Sequence, residues 1–491
     1  MTDPEIDTSL DPMDQALRAL PLIAGYPIYQ RNGYLVDIIR EAQVTDGRVT
    51  PNGPPTIRKL PRPILKRILR HAITWTRGDD IIKDAPAEVV SLIESMGEWE
   101  NIRPLHGIAS WPILSPSGKI ITKDGFDLES GLLISGVPDM PPIGTTKEEA
   151  QKSLKLLIGL LVDFPFSDPS GPLIWVASLL ATIARPAIAG PTPATIFDAP
   201  TPGSGKTLLA QAIFALLTGK PPVVRMAPQD ASEWQRSLLA IAQGGHPAVI
   251  LDNLKGKVDS GPLEAAITSC QVSDRLVRSS SEVTIKLNAV FLLTANNLEL
   301  SPDLARRSLY CRLTPEEQSP ENRTGYTHPF LLDHILGNRP QLLAASLTIL
   351  KAWQLEKSKK KKKNEGLPQL TAMGSFESWS EVVRQPLHWL APTIDITTTR
   401  RQLLLDLSYS DSWGDLLEIW YDHFPGKKVT FTQALTKKEI SECLKELAGN
   451  QPKRRLQQEL KRQLADKVLG GYQLRNAGRG KHGMLWEVIK K

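Results

Sequence analysis

Nine residues, Ala199-Pro-Thr-Pro-Gly-Ser-Gly-Lys-Thr207, constrain this chain more than any other segment. They follow a short apolar run at Thr195–Phe197 and open into a helical pattern over Thr207–Leu217. Strand, glycine-rich turn and helix, in that order, let backbone amides converge on phosphate oxygens. Gly203 and Gly205 allow the backbone to wrap closely, and the amino end of the helix adds its positive dipole. Pro202, Gly203, Ser204, Gly205, Lys206 and Thr207 are therefore the expected cradle for ATP. Lys206 would reach the β- and γ-phosphates, and the Thr207 hydroxyl would ligate Mg²⁺. Pro200 stands where such loops usually carry their first glycine. That removes one hinge but leaves the amides from Gly203 to Thr207 available.

Two further strand ends supply the other groups that phosphoryl chemistry needs. Ala248-Val-Ile-Leu-Asp252-Asn253 is an apolar strand ending in a carboxylate. The carboxyl edge of a parallel sheet is where a Mg²⁺-supporting aspartate belongs. Asn253 follows it; an amide orients water but is a poor base. Val290-Phe-Leu-Leu-Thr294 runs into Ala295-Asn296-Asn297, a polar strand tip suited to holding the attacking water, with Asn296 preferred over Asn297. Beyond it, Arg306 and Arg307 sit on a short helix opening at Asp303. One of them would act as a finger into a neighbouring subunit's nucleotide; a surface ion pair is the alternative.

Around these motifs the pattern divides a chain of 491 residues into three parts. Residues 1–150 read as a small α+β unit, with a hairpin turning at Asn32-Gly33, helices over Ile64–Thr74 and Ala87–Met96, a second turn at Ser115–Gly118 and a strand near Gly131–Ser135. Residues 151–400 alternate helices with compact strands at Thr195–Phe197, Val223–Met226, Ala248–Leu251 and Val290–Leu293, the signature of a parallel sheet covered by helices. Residues 325–356 look helical. The basic run at Lys357 and Lys359–Lys363 reads as a solvated loop. Residues 401–491 read as helices over Trp413–His423, Lys437–Leu447 and Lys453–Val468. A strand pair then follows around Arg475–Gly483, which is a winged-helix layout.

Charge is uneven. Residues 426–491 hold 16 Lys and Arg against 6 Asp and Glu, an excess of ten, while the rest of the chain is net negative by four. A polyanion is the natural partner of such a tail. Arg454 with Lys461, and Arg455 with Arg462, lie seven apart and share a helix face, while Arg475, Arg479 and Lys481 fall in the expected wing. The longest apolar run, Gly171–Ala184, is 14 residues, short of the roughly 20 that cross a bilayer. No membrane association is expected. Three distant cysteines and eight histidines without ligand spacing point to reduced thiols, no zinc site and a cytoplasmic protein.

With these residues in place, the chain resembles the replicative helicases and primase–helicases of phages, plasmids and integrative elements. These belong to the AAA+ branch that includes superfamily III. The resemblance runs from about Pro193 to Leu390. It rests on Pro200–Thr207, Ile250–Asn253, Thr294–Asn297, Asp303–Arg307, Glu321-Asn-Arg and Gly374-Ser-Phe-Glu-Ser-Trp379. It implies an AAA+ sheet with helices on both faces and a homo-hexameric ring enclosing single-stranded DNA, with duplex DNA bound by the C-terminal unit and a separate primase as a further partner. Many AAA+ ATPases carry glutamate where this chain has Asn253. Members often carry a DNA-gripping hairpin before the polar strand tip; Arg275–Leu287 would supply it, with Arg275, Arg278 and Lys286 as contacts, or else be an ordinary surface hairpin. No Asp-x-Asp occurs, so no primase activity is assigned. An origin-binding initiator or loader that uses ATP as an assembly switch is the rival reading.

The charge excess yields a direct expectation. Removing residues 411–491 should weaken duplex DNA binding and flatten its salt dependence, by about 0.9 in the log–log slope for each phosphate no longer neutralised. A salt titration that superimposes with and without the tail would reduce it to a solubilising surface.

Overall fold

Five short strands rich in apolar side chains build the sheet that carries the phosphate loop. In spatial order they are Arg225–Met226, Ala248–Leu254, Val290–Asn296, Ala194–Ala199 and Ser308–Arg312, all parallel. A parallel sheet needs cover on both faces, and the strand Ala194–Ala199 is buried along its whole length. Helices Gly171–Ile183, Lys206–Thr218 and Ala231–Gly244 flank the sheet. The first is almost wholly buried, and its Trp175 indole donates to the Leu209 carbonyl at 2.8 Å, joining two of these helices. The fifth strand, Ser308–Arg312, is not foreshadowed by the sequence pattern.

This computed structural model describes the chain except residues 1–3, 41–42, 46–47, 51–52, 54, 221–223, 229, 259, 276–281, 316–322, 364–369, 372, 449–454, 456–457, 459, 461–463, 465–467, 470, 482 and 491. The chain divides into two compact units, Met1–Ile396 and Thr397–Lys491. Among the described residues no helix is long and apolar enough to cross a membrane.

In the first unit, residues 5–102 close a core around Leu69, Trp75, Val89, Val90 and Trp99. The hairpin Ile28–Arg31 with Tyr34–Arg40 turns at Asn32 and Gly33, with φ of 48° and 76°. Both central residues thus take the left-handed region that a two-residue hairpin turn demands. The helix expected over Ile64–Thr74 ends at Ala72. Thr74–Arg77 instead forms a strand parallel to Glu5–Asp7, because cross-strand pairing satisfies β-branched Ile73 and Thr74 better than another helical turn. The lysine run is also corrected: it continues the helix Arg339–Lys363. Lysine is a good helix former, Lys360 lies 3.9 Å from Glu356 one turn back, and Lys357 pairs with Glu381.

The second unit holds a helix over Thr398–His423, starting well before the expected Trp413. Lys438–Ala448 is helical, and Val468 opens a short strand instead of ending a helix. Its antiparallel sheet runs in the order Val429–Thr430, Gly483–Lys490, Tyr472–Gly480, Val468–Leu469. Trp413, Leu416, Trp420, Leu444 and Trp486 form its core. The last two long strands are longer than expected, so Arg475 and Arg479 lie on a strand and not in a loop.

Arg384 is 2% exposed and grips Asp395 at both oxygens, at 3.0 and 2.8 Å, while also donating to the Thr371 carbonyl at 2.7 Å. Asp395→Ala strands a buried cation, which typically costs about 3–5 kcal/mol. A clear drop in the denaturant midpoint of the first unit should follow, and an unchanged midpoint would show that the pair is not needed.

Candidate functional site

The strand order decides the site. Val290–Asn296 lies between the strand leading to the phosphate loop and the strand bearing Asp252. Parallel pairing brings all three carboxyl ends to one edge, and Ala199 stands opposite Asn296 in register. The register of the Asp252 strand shifts between Leu251 and Leu254, and Asn253 sits at φ 65°. Such a bulge re-aims side chains at a strand end.

Its result is a shared carboxylate. The Thr207 hydroxyl donates to Asp252 Oδ1 at 2.8 Å, and the Thr294 hydroxyl donates to the same oxygen. Thr294 in turn accepts from the Asn253 amide at 3.0 Å. A threonine hydroxyl next to a carboxylate is an all-oxygen donor set, the kind Mg²⁺ takes while keeping waters and phosphate oxygens. The residues therefore fit that ion.

Gly203 and Gly205 adopt φ of 75° and 89°, and no side chain caps the helix that begins at Lys206. The first-turn amides remain open to a phosphate. Lys206 is 7% exposed, and its ammonium donates to the Thr201 carbonyl at 2.8 Å. Burial lowers its pKa against the opposing pull of Asp198 and Asp252. Pro202 and Ser204 complete the turn, with Ser204 Oγ bonded to the Thr201 carbonyl. A Cβ on Gly205 would come 2.8 Å from the Phe164 ring, so only glycine fits here. Beside the loop lies a cavity of about 250 Å³, walled by Phe164, Leu208, Tyr326 and His328. Arg323 stacks over Tyr326 and is anchored to the Asp163 carbonyl at 2.7 Å.

Asn296 and Asn297 behave differently. Asn296 points its amide nitrogen at Asn253 Oδ1, 3.4 Å away, and its own Oδ1 is shut from solvent with no partner among the described residues. Asn297, at φ 48°, is tied to the loop: its backbone amide donates to Ala199 and its side chain to the Pro200 carbonyl, at 3.1 and 3.2 Å. Sequence reasoning missed a cluster behind them. Asp198 is fully buried and accepts from Tyr310 at 2.6 Å and Arg312 at 2.9 Å. Arg312 also reaches Asn297 Oδ1 at 3.2 Å. Burial, then the Asp198 carboxylate, pushes the Tyr310 hydroxyl pKa far up. The only hint in the sequence was an aspartate two residues before the loop.

Of the finger candidates, Arg306 is 55% exposed and pairs with Asp303 at 2.6 Å. Arg307 is 17% exposed and bonded to both the side chain and carbonyl of Asp303. Arg275 lies in the strand Gln271–Arg275, and Lys286 is exposed on its partner Glu282–Lys286. Arg278 with the tip of that hairpin, and Arg454, Lys461 and Arg462, lie outside the described residues. Arg455, Arg475, Arg479 and Lys481 are exposed in the second unit. Among the described residues no cluster of three His, Cys, Asp or Glu could hold a metal.

No protein-family model and no curated protein matches the chain. Among solved structures it is similar to the apo A form of the C-terminal region of NrS-1, at 12% identity and a TM-score of 0.34. That overlap covers 92% of this chain and 96% of that one. It is also similar to Cch of SCCmec type IV, described as an active helicase, at 14% identity and a TM-score of 0.31, covering 94% and 97%. Both likenesses are low, and the chemistry of the site stands on its own geometry.

Thr294→Val removes one donor to Asp252 and the acceptor for the Asn253 amide without changing shape. Losing such a support typically costs about 10–100-fold in metal affinity or activity. ATP turnover titrated with Mg²⁺ should show a raised half-saturation; a wild-type Mg²⁺ curve would remove Thr294 from the site.

Proposed function

We propose that this chain is an ATP-dependent DNA helicase of the replicative type, hydrolysing ATP at the phosphate loop and working as a ring on DNA. The observation that carries this reading is the bond between Thr207 and Asp252 beside a loop whose amides lie open. Thr207 and Asp252 would hold Mg²⁺, which supplies charge neutralisation at the β- and γ-phosphates when bound. Lys206 would exchange its bond to Thr201 for phosphate oxygens. Asn296, whose side chain meets Asn253 at the strand ends, would orient an attacking water, and Asn253 completes that wall. The cavity beside Phe164 and Tyr326 offers the nucleobase an aromatic seat.

Arg306 is the stronger finger. Its pair with Asp303 is exposed, and such pairs are worth about 0–1 kcal/mol, so a neighbour's phosphates would displace Asp303. Arg307 is held by its own helix. DNA contact would fall to Arg275, Arg278 and Lys286 on the hairpin in the first unit. In a winged-helix-like second unit it would fall to Arg454, Arg455, Lys461, Arg462, Arg475, Arg479 and Lys481. The resemblance to mobile-element helicases supports a hexamer and a separate primase.

A second reading, an initiator or loader using ATP as an assembly switch, is favoured by one observation. Asn253 brings an amide where a base would speed hydrolysis, and its Oδ1 already faces Asn296.

Strand displacement on forked DNA with ATP separates the two. The helicase reading expects unwinding that Lys206→Ala abolishes. Arg306→Ala should bind ATP yet lose about 10³–10⁵ in rate, and mixing these two inactive proteins should restore activity through interfaces that join an intact loop to an intact finger. ATP-dependent assembly with no unwinding would favour the switch. No recovery in confirmed mixed assemblies would exclude a trans-acting Arg306.

A further inference from the structure

A second cavity, of about 540 Å³, lies away from the phosphate loop, and no residue of the loop lines it. Its size falls in the range that holds small-molecule ligands, about 300–1,000 Å³. Three segments on its wall lead into the strands of the sheet from their amino ends. Arg185 and Pro186 precede Ala194–Ala199, His246 and Pro247 directly precede Ala248–Leu254, and Leu287 and Asn288 precede Val290–Asn296. The carboxyl ends of these strands carry the loop, Asp252 and Asn296. The cavity therefore sits at the opposite edge of the sheet from the ATP site.

Its lining is cationic. Arg31, Arg185 and Lys286 face a single carboxylate, Glu98. Arg31 donates only to backbone carbonyls, at Leu105, His106, Ala242 and Gln243, and burial drops its pKa to about 10. Arg185 is 6% exposed; its terminal nitrogens reach the carbonyls of Ile188 and Gly190, the Asn288 amide oxygen and the Cys270 thiol, none of them a carboxylate. Two buried donors on this lining have no partner among the described residues: Arg185 Nε and Trp111 Nε1, the latter on a residue 4% exposed. Both groups can only donate. Three cations against one carboxylate favour an occupant that brings negative charge. Ile113, Leu132 and the Trp111 ring add apolar wall for an organic part.

We propose that this cavity is a second ligand site, taking a phosphorylated small molecule of about nucleotide size. A phosphate dianion matches the excess of two positive charges on the wall, and arginine and lysine are the side chains that recognise it. The occupant would touch the lead-in to every strand that carries the ATP chemistry, including Lys286 at the foot of the hairpin, so binding here would bias the sheet's far edge.

The test uses the full chain carrying Lys206→Ala, which disables the phosphate loop, and titrates AMP by calorimetry, with adenosine and inorganic phosphate as controls. Saturable one-to-one binding of AMP, absent for adenosine, is expected. Lys286→Gln, at an exposed position, should weaken it about tenfold, as loss of one charge-assisted bond implies, and Glu98→Gln, which removes the one carboxylate on the wall, should tighten it. Equal binding of adenosine and AMP, AMP affinity untouched by both cavity variants, or no saturable binding of AMP or phosphate would each overturn the proposal.

Discussion

One bulge in one strand organises the candidate site. A straight strand through Asp252 would alternate its side chains between the two sheet faces. The shift between Leu251 and Leu254, with Asn253 at φ 65°, lets the Asp252 carboxylate meet the Thr207 and Thr294 hydroxyls together. Those hydroxyls come from the helix after the loop and from the neighbouring strand. Three segments distant in sequence are thereby fixed to a single oxygen. A buried, close-packed parallel sheet makes this possible, because strands covered on both faces cannot slide in register.

Much of this was legible because it depends on local chemistry. Gly203 and Gly205, the apolar strand before Asp252 and the Asn32-Gly33 turn all declare backbone needs within a few residues. The cluster of Asp198, Tyr310 and Arg312 was not legible, since its members are up to 114 residues apart and each alone reads as an ordinary strand residue. The lysine run misled for the opposite reason. Its charge pattern suggests solvent, but helix propensity and pairing to Glu356 and Glu381 continue the helix. The strands flanking the expected wing were read too short because Asn476–Arg479 carries its own irregularity, with Gly478 at φ 100°, which lets pairing resume beyond it.

Two arginines, Arg339 buried and Arg31 half-buried, act as helix caps in the first unit. Arg31 donates to Ala242 and Gln243 at the end of one helix, and Arg339 to Leu216 and Leu217 at the end of another. A cation at a helix carboxyl end meets unsatisfied carbonyls and the negative end of the dipole. Both guanidiniums lose hydration in doing so, which brings each pKa to about 10. The same two side chains also hold the carbonyls of Leu105, His106 and Ser110. The segment joining the N-terminal elements to the sheet is thus fastened by charge on polar backbone, with no carboxylate needed.

Pro200 replaces a glycine that would let the loop flex. Its carbonyl is held by Asn297, Asn297 by Arg312, and Arg312 by the buried Asp198. A loop already fixed by a stiff residue and a relay of bonds has little disorder to surrender when a nucleotide arrives. Its binding should therefore carry a small entropic penalty from the chain itself, leaving the displacement of water and the meeting of charges to set how affinity changes with temperature.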